Sequence, residues 1–90
     1  MELYKIRGWV NRKATKRNPM PDHAFSYEEV VLNLDTAKRK FESTKREVIG
    51  FSCMSGYSSG YAQLFIPHVF EDGTLAYWPD NEEYIEKYEW

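Results

Sequence analysis

Apolar and polar residues alternate at the start of the chain. Ile6 and Val10 fall on one side of an extended segment, and Lys5 and Arg7 fall on the other. Because successive side chains of a strand point to opposite faces, this period of two predicts a half-buried strand over residues 3–10.

The apolar period then disappears. Residues 11–24 contain four cations and two prolines, and no regular apolar spacing. A stretch of this kind predicts a loop, and loops of this length in a small domain are often functional or disordered.

A helical period follows the predicted loop. Ser26 and Glu29 have the spacing of a capping box, in which each side chain binds the other's backbone N–H. The apolar stripe that follows consists of Tyr27, Val30, Val31, Leu34, Ala37 and Phe41. We therefore predict one amphipathic helix over residues 27–46. An alternative remains, in which residues 30–34 form a strand and Asp35 caps a shorter helix, since Leu32 lies off the stripe.

The rest of the chain indicates a meander. Strands are predicted at residues 47–54, 61–70 and 74–78, where aromatic and β-branched residues are frequent. The Asp72-Gly73 pair between the last two is typical of a hairpin turn. A final helix is predicted over residues 81–89.

These elements predict a two-layer α+β fold with the order β-α-β-β-β-α. In this prediction, a three-stranded antiparallel meander and the N-terminal strand pack against one long amphipathic helix. The 90 residues are expected to form a single domain spanning residues 1–90, because a chain of this length has no room for a second core.

Formal charge is divided between the two halves of the chain. Residues 1–46 hold eleven of the twelve Lys and Arg against six acids, whereas residues 47–90 hold one Lys against eight acids. A division of this kind influences which partners the protein attracts and in which orientation they approach.

Catalytic and metal-binding patterns are weak. Cys53 is the only cysteine, and it is expected to be a small buried hydrophobe rather than a nucleophile paired with His23 or His68. No ligand spacing or cofactor motif is present, so we predict no enzyme activity, no metal site and no cofactor. The single cysteine and the absence of a long apolar run favour a soluble, cytoplasmic protein that does not enter a membrane.

The acidic half indicates the first function. Its carboxylates are interleaved with Tyr and Trp, the residues that most often anchor protein interfaces. We expect a non-enzymatic protein that binds a partner with a basic surface, and in the sharper version an inhibitor that occludes a nucleic-acid-binding surface. The expected contact residues are Glu71, Asp72, Tyr77, Trp78, Asp80, Glu82, Glu83, Tyr84, Glu86 and Tyr88.

The basic half indicates an alternative function, which is nucleic-acid binding through salt-dependent phosphate contacts. Its expected contact residues are Arg12, Lys13, Lys16 and Arg17 of the loop, and Arg39, Lys40 and Arg46 of the helix. Lys5 and Arg7 would extend this patch. A third interpretation is a homo-oligomer in which the basic half of one copy meets the acidic half of another.

Overall fold

The computed structural model describes residues 3–79 and 83–90. Its elements are β1 (Tyr4–Arg12), β2 (His23–Val31), α1 (Leu34–Ser52), β3 (Tyr57–Phe65) and β4 (Glu86–Glu89). The strands form one antiparallel sheet in the order β2-β1-β3-β4. The expected α+β class is confirmed, with one helix and four strands in the described residues.

The core lies between α1 and one face of the sheet. The helix contributes Ala37, Phe41, Thr44 and Val48, which recur every three or four residues and therefore share one side. The sheet contributes alternate residues of its two central strands. These are Ile6 and Val10 of β1 and Ala62 and Leu64 of β3, all without solvent exposure.

The predicted start of the helix is wrong. Residues 23–31 form β2, and the register pairs Tyr27 with Gly8 and Val31 with Tyr4. The sequence here also has a period of two, and pairing with β1 satisfies the backbone groups that an isolated first helical turn leaves open. Ser26 and Glu29 therefore belong to a strand and form no capping box.

The observed helix begins where a different cap acts. Asn33 is the N-cap, and its side-chain oxygen accepts a hydrogen bond from the Thr36 backbone N–H at 3.0 Å. This arrangement is close to the alternative in which a strand precedes a shorter helix. The end of the helix also differs from the prediction. α1 continues to Ser52, through most of the residues 47–54 that are predicted to form a strand.

The C-terminal elements also differ from the predicted order. Residues 74–78 form no named strand, and only an isolated bridge joins Val69 to Leu75. The predicted helix over 81–89 is wrong in its described part, because β4 occupies Glu86–Glu89 and pairs with β3. The chain order is therefore β-β-α-β-β.

The sheet has two ends with different surroundings. At one end, which we call the loop end, β1 and β2 are joined by residues 13–22. At the other end, Lys5 pairs with Phe65, and residues 66–79 leave the sheet. We call these residues the covering segment. Lys5 and Arg12 are seven residues apart on one strand, so the two ends are separated by about 23 Å.

A carboxylate links β2 to the helix. Glu29 receives hydrogen bonds from the Tyr27 hydroxyl and from Lys40 Nζ, the latter at 2.9 Å. Both hydrogen bonds favour the ionised carboxylate, with the Tyr27 bond contributing most, and they lower the Glu29 pKa. Burial and the same Glu29 contact raise the Tyr27 pKa to about 12.

This link should make stability depend on pH. A carboxyl group whose pKa is lowered by folding stabilises the protein above its unfolded pKa, and this contribution is lost as pH falls through the folded value. Glu29→Gln should therefore lower the free energy of unfolding at pH 7 and have a progressively smaller effect below the ordinary Glu pKa of 4.5. Urea denaturation of both proteins from pH 7 to pH 3 measures this difference.

Tyr27→Phe provides the matched comparison, because it removes the larger cause of the pKa shift and keeps Lys40. Its pH dependence between pH 7 and pH 3 should be weaker than that of the wild type. An effect of Glu29→Gln that stays constant over this pH range would show that the ion pair does not carry the stabilisation.

Candidate binding surface

The sheet face opposite α1 carries a set of polar and aromatic side chains. A Cβ on Gly8 would meet Thr44 of the helix, which places Gly8 on the helix side of β1. By alternation, Lys5, Arg7 and Trp9 lie on the opposite side. We call this side the open face.

Arg7 is the centre of the open face. Its side chain is almost fully buried, and the residue is 2% exposed. Its guanidinium donates hydrogen bonds to Gln63 Oε1 at 3.1 Å and to the Tyr61 hydroxyl at 2.9 Å. The rings of Tyr77 and Trp78 lie over it, with centroids 3.8 and 4.2 Å from Arg7 Cζ. Arg7 thus attaches two aromatic rings of the covering segment to the central strands.

Aromatic rings and neutral oxygens stabilise the Arg7 charge. Within the described parts of the chain, no carboxylate forms a salt bridge with Arg7. The π faces of Tyr77 and Trp78 attract the cation, and this attraction grows when water is excluded. Burial raises the pKa of the Tyr61 hydroxyl against the opposing effect of Arg7, so this hydroxyl remains protonated at neutral pH.

Lys5 fixes the same segment at a second point. Its ammonium group lies 2.7 Å from Glu28 Oε1 and 3.4 Å from the carbonyl oxygen of Ala76, and its nitrogen is 5.1 Å from the Tyr77 ring centroid. The residue is only 3% exposed. The expectation that Lys5 and Arg7 extend a basic surface is therefore wrong, because the covering segment buries both.

The outer side of the covering segment is apolar and acidic. Tyr77 and Trp78 remain 47% and 52% exposed, although their rings contact Arg7. Ile66, Val69 and Phe70 are exposed to a similar degree. Five of the ten exposed large hydrophobic residues in the described ranges thus lie within fourteen consecutive positions.

The loop end of the open face is arranged differently. The rings of Trp9 and His23 lie in contact, with centroids 4.2 Å apart. Trp9 Nε1 donates to Asn11 Oδ1 at 2.8 Å, and Asn11 Nδ2 donates to Ser59 Oγ at 2.9 Å. Trp9 is half-buried and His23 is exposed, and the ring contacts of the covering segment extend only as far as Tyr61. Because no ring of residues 66–79 contacts Trp9 or His23, we call this part of the face its uncovered end.

The cationic loop adjoins this uncovered end. Arg12, Lys13, Lys16 and Arg17 are all exposed. The loop is tied down by a hydrogen bond from the Lys13 backbone N–H to the Gly56 carbonyl at 2.9 Å and by a turn between Thr15 and Asn18. The loop begins at the end of β1 and ends at His23, so both of its ends lie at the loop end of the open face.

The structure separates the predicted acidic and aromatic contact residues. Tyr77 and Trp78 lie over Arg7, and Glu71 and Asp72 form an exposed turn in which Asp72 caps Thr74. Tyr84 is close to this cluster, because it packs on Phe65 and its hydroxyl accepts a hydrogen bond from Gln63 Nε2 at 3.4 Å. The other described residues are elsewhere: Glu83 is exposed, and Glu86 and Tyr88 belong to β4, with Tyr88 against the core. Asp80 and Glu82 lie outside the described residues.

The predicted basic residues of the helix are not equivalent to those of the loop. Lys40 is engaged by Glu29, whereas Arg39 and Arg46 are exposed on α1. The helix covers the face of the sheet that is opposite to Trp9. The structure therefore does not join the helix cations to the open face.

Two other expectations can be compared with the structure. Cys53 is exposed at the C-cap of α1, so its prediction as a buried hydrophobe is wrong. His68 leaves the sheet at the far end from Cys53, so these two residues do not form a pair. No group of three His, Cys, Asp or Glu suited to a metal ion occurs within residues 3–79 and 83–90.

Trp9 and His23 were not among the predicted contact residues. Sequence alternation does place Trp9 on the same side of the strand as Arg7, which is a usable signal. His23 reaches this position only through the pairing of β1 with β2.

No helix in the described part of the chain has the length and apolar character needed to cross a membrane. Comparison with protein-family models, curated proteins and solved structures gives no significant match to this chain.

Proposed function

We propose that this chain is a non-enzymatic binding protein that docks onto a basic surface of a partner protein through its covering segment. The observation that carries the proposal is the attachment of Tyr77 and Trp78 to Arg7 with half of each side chain left in solvent. Aromatic residues of this type dominate the binding free energy of many interfaces.

Pre-organisation strengthens the proposal. An interface side chain normally loses rotamer freedom when a partner binds, and this loss weakens the complex. Here the rings already have a fixed neighbour on their inner side, and Tyr77 and Trp78 also contact each other at a centroid distance of 5.2 Å. Most of the ordering cost therefore falls on folding rather than on binding.

Charge favours a basic partner. The covering segment contains Glu71 and Asp72 and has no Lys or Arg. An exposed apolar centre with carboxylates beside it complements a surface that presents apolar groups among Lys and Arg. In the sharper form of the proposal, the partner's basic surface binds nucleic acid and the covering segment occludes it.

Capture experiments with matched variants test this proposal. The tagged full chain is used as bait in nuclease-treated lysate of its native cell, alongside Trp78→Ala and a Glu71→Lys/Asp72→Lys double variant. Leu32→Ala is the control, because Leu32 is an equally exposed apolar residue outside the segment. A specific partner should be retained by the wild type and by Leu32→Ala, and lost from the two segment variants.

The captured protein is then purified and titrated. Trp78→Ala should raise its dissociation constant about tenfold or more, the effect of a hot-spot residue. Equal binding by all four proteins, or failure to retain any protein, would contradict the proposal. For the sharper form, addition of the chain should release nucleic acid from the partner in proportion to complex formation.

A further inference from the structure

We propose that the uncovered loop end of the open face binds single-stranded nucleic acid, as a second surface separate from the covering segment. Its bases would stack on the Trp9–His23 pair, and its phosphates would contact the cations of the loop that joins β1 to β2. This proposal differs from the basic patch expected from the sequence, because it uses aromatic residues of the sheet and excludes the cations of α1.

Aromatic geometry is the first observation. Trp9 and His23 lie at a ring distance of 4.2 Å, and Trp9 is the cross-strand partner of Tyr61. His23 and Trp9 therefore form a row of two rings on β2 and β1, and Tyr61 of β3, which contacts Trp78 of the covering segment, marks the inner end of this row. Proteins that hold single strands commonly stack successive bases on aromatic side chains presented in this way.

Polar groups beside the row add to its suitability. The Trp9 indole N–H is already used by Asn11, and Asn11 in turn binds Ser59. These bonds hold the indole in one orientation, so that stacking requires little reorganisation. Asn11 and Ser59 also carry further donor and acceptor capacity for the edge of a base.

The positive charge of the loop indicates which class of ligand fits this end of the face. Residues 12–22 contain four cations, all exposed, against the single acid Asp22. Two further acids lie on the open face, and each is close to a lysine: Glu28 Oε1 is 2.7 Å from Lys5 Nζ, and Glu89 Oε1 is 3.9 Å from Lys87 Nζ. A polyanion with flat bases complements the aromatic row and the loop together, whereas a basic protein surface would be repelled by the loop.

Extended single strands suit the site better than a duplex. The bases of a duplex are stacked on one another, and their faces are not available to Trp9 or His23. A flexible strand can bring a base to the rings while its backbone follows the loop. We therefore expect a preference for single strands over duplex of the same length.

Fluorescence anisotropy with the full chain tests the proposal. The probes are labelled twelve-residue oligothymidylate and oligouridylate, compared with a twelve-base-pair duplex, in 20–200 mM salt. Binding to the single strands should be detectable at low salt and weaken steeply as salt rises. Lys16→Glu/Arg17→Glu should raise the dissociation constant about tenfold or more and reduce the salt dependence.

Two further variants isolate the stacking contribution. His23→Ala and Trp9→Ala should each raise the dissociation constant about tenfold, within the range measured for single stacked bases. His23 is exposed, so its variant reports on binding even if loss of Trp9 disturbs the fold. The matched charge control is Lys38→Glu/Arg39→Glu on the helix, which should leave the affinity within about twofold.

A photochemical measurement locates the site directly. An oligonucleotide with 5-bromouracil is irradiated in the complex, and the cross-linked peptide is identified by mass spectrometry. Attachment at Trp9 or His23 supports the proposal, and attachment to α1 or to Tyr77 and Trp78 overturns it. The absence of single-strand binding at 20 mM salt also overturns the proposal. Binding that depends on the loop cations but on neither ring overturns it as well, because it would indicate a general polyanion contact.

The outcomes remain separate from those of the proposed function. Trp78→Ala should retain oligonucleotide binding, and His23→Ala should retain the captured protein partner. If oligonucleotides do not bind and His23→Ala instead loses that partner, the loop end belongs to the protein interface and the nucleic-acid proposal is wrong.

Discussion

Replacing Arg7 with alanine should lower the free energy of unfolding by about 2–4 kcal/mol. The change removes two charge-assisted hydrogen bonds, to Gln63 and Tyr61, and the support beneath the rings of Tyr77 and Trp78. It also leaves the buried amide oxygen of Gln63 without this donor. Urea denaturation followed by circular dichroism measures the loss.

Arg7→Met separates charge from volume. Methionine donates no hydrogen bond, so Arg7→Met should also lower the free energy of unfolding. The loss should be smaller than for alanine, because methionine keeps much of the aliphatic packing. The control is Arg17→Ala, an exposed position in the loop whose change should stay within about 0.5 kcal/mol. Wild-type stability in both Arg7 variants would mean that the rings do not depend on the guanidinium.

Hydrogen exchange adds a local measurement to the same prediction. The Ala76 backbone N–H binds the His68 carbonyl at 2.8 Å, and the Phe70 N–H binds the Thr74 carbonyl at 2.9 Å. If Arg7 attaches the covering segment, both amides should exchange faster in Arg7→Ala than global unfolding explains. The core amides of β1 should follow the global change.

The first strand shows how far alternation alone can predict a structure. The period of two correctly assigns Ile6 and Val10 to one side and Lys5 and Arg7 to the other. It carries no information about what covers the second side. Their polar side chains predict exposure to solvent, but a segment about seventy residues later in the chain folds over them and supplies π faces and a carbonyl.

The interval from Phe25 to Val31 shows why helix and strand were confused. Its apolar residues satisfy both a period of two and part of a period of 3.6, so local spacing cannot decide between them. Pairing with β1 decides in favour of the strand, and this pairing is a tertiary interaction. Asn33 was the usable local signal, because it is a favoured N-cap residue directly before the observed helix.

The division of charge along the sequence becomes a different division in space. The sheet order places β2 and β1 from the basic half beside β3 and β4 from the acidic half. Two cations of the basic half are buried by the acidic half, and the exposed loop cations gather at one end. The two proposed surfaces therefore lie at opposite ends of β1, which makes their variants mutual controls.

Replacing Gly8 with alanine should lower the free energy of unfolding by about 1–3 kcal/mol. A Cβ at this position would lie 2.4 Å from Thr44 Cγ2 and 2.9 Å from Phe25 Cε1, and both distances are shorter than the non-bonded contacts that Cβ atoms make in proteins. Thr44 is buried on α1, and its hydroxyl donates to the Lys40 carbonyl at 2.8 Å, so it cannot move without disturbing the helix. Chemical denaturation of Gly8→Ala and the wild type measures the difference in their free energies of unfolding.

The double variant Gly8→Ala/Thr44→Ser tests the assigned cause. Serine removes the methyl group that meets the new Cβ and keeps the hydroxyl, so the double variant should lose less stability than the sum of the single changes. Gly50→Ala is the matched glycine control, because nothing lies within 4 Å of its added Cβ. At that helical position alanine should stabilise the protein by about 0.5–1 kcal/mol. Equal effects at Gly8 and Gly50, or strict additivity with Thr44→Ser, would mean that the helix does not approach β1 closely at Gly8.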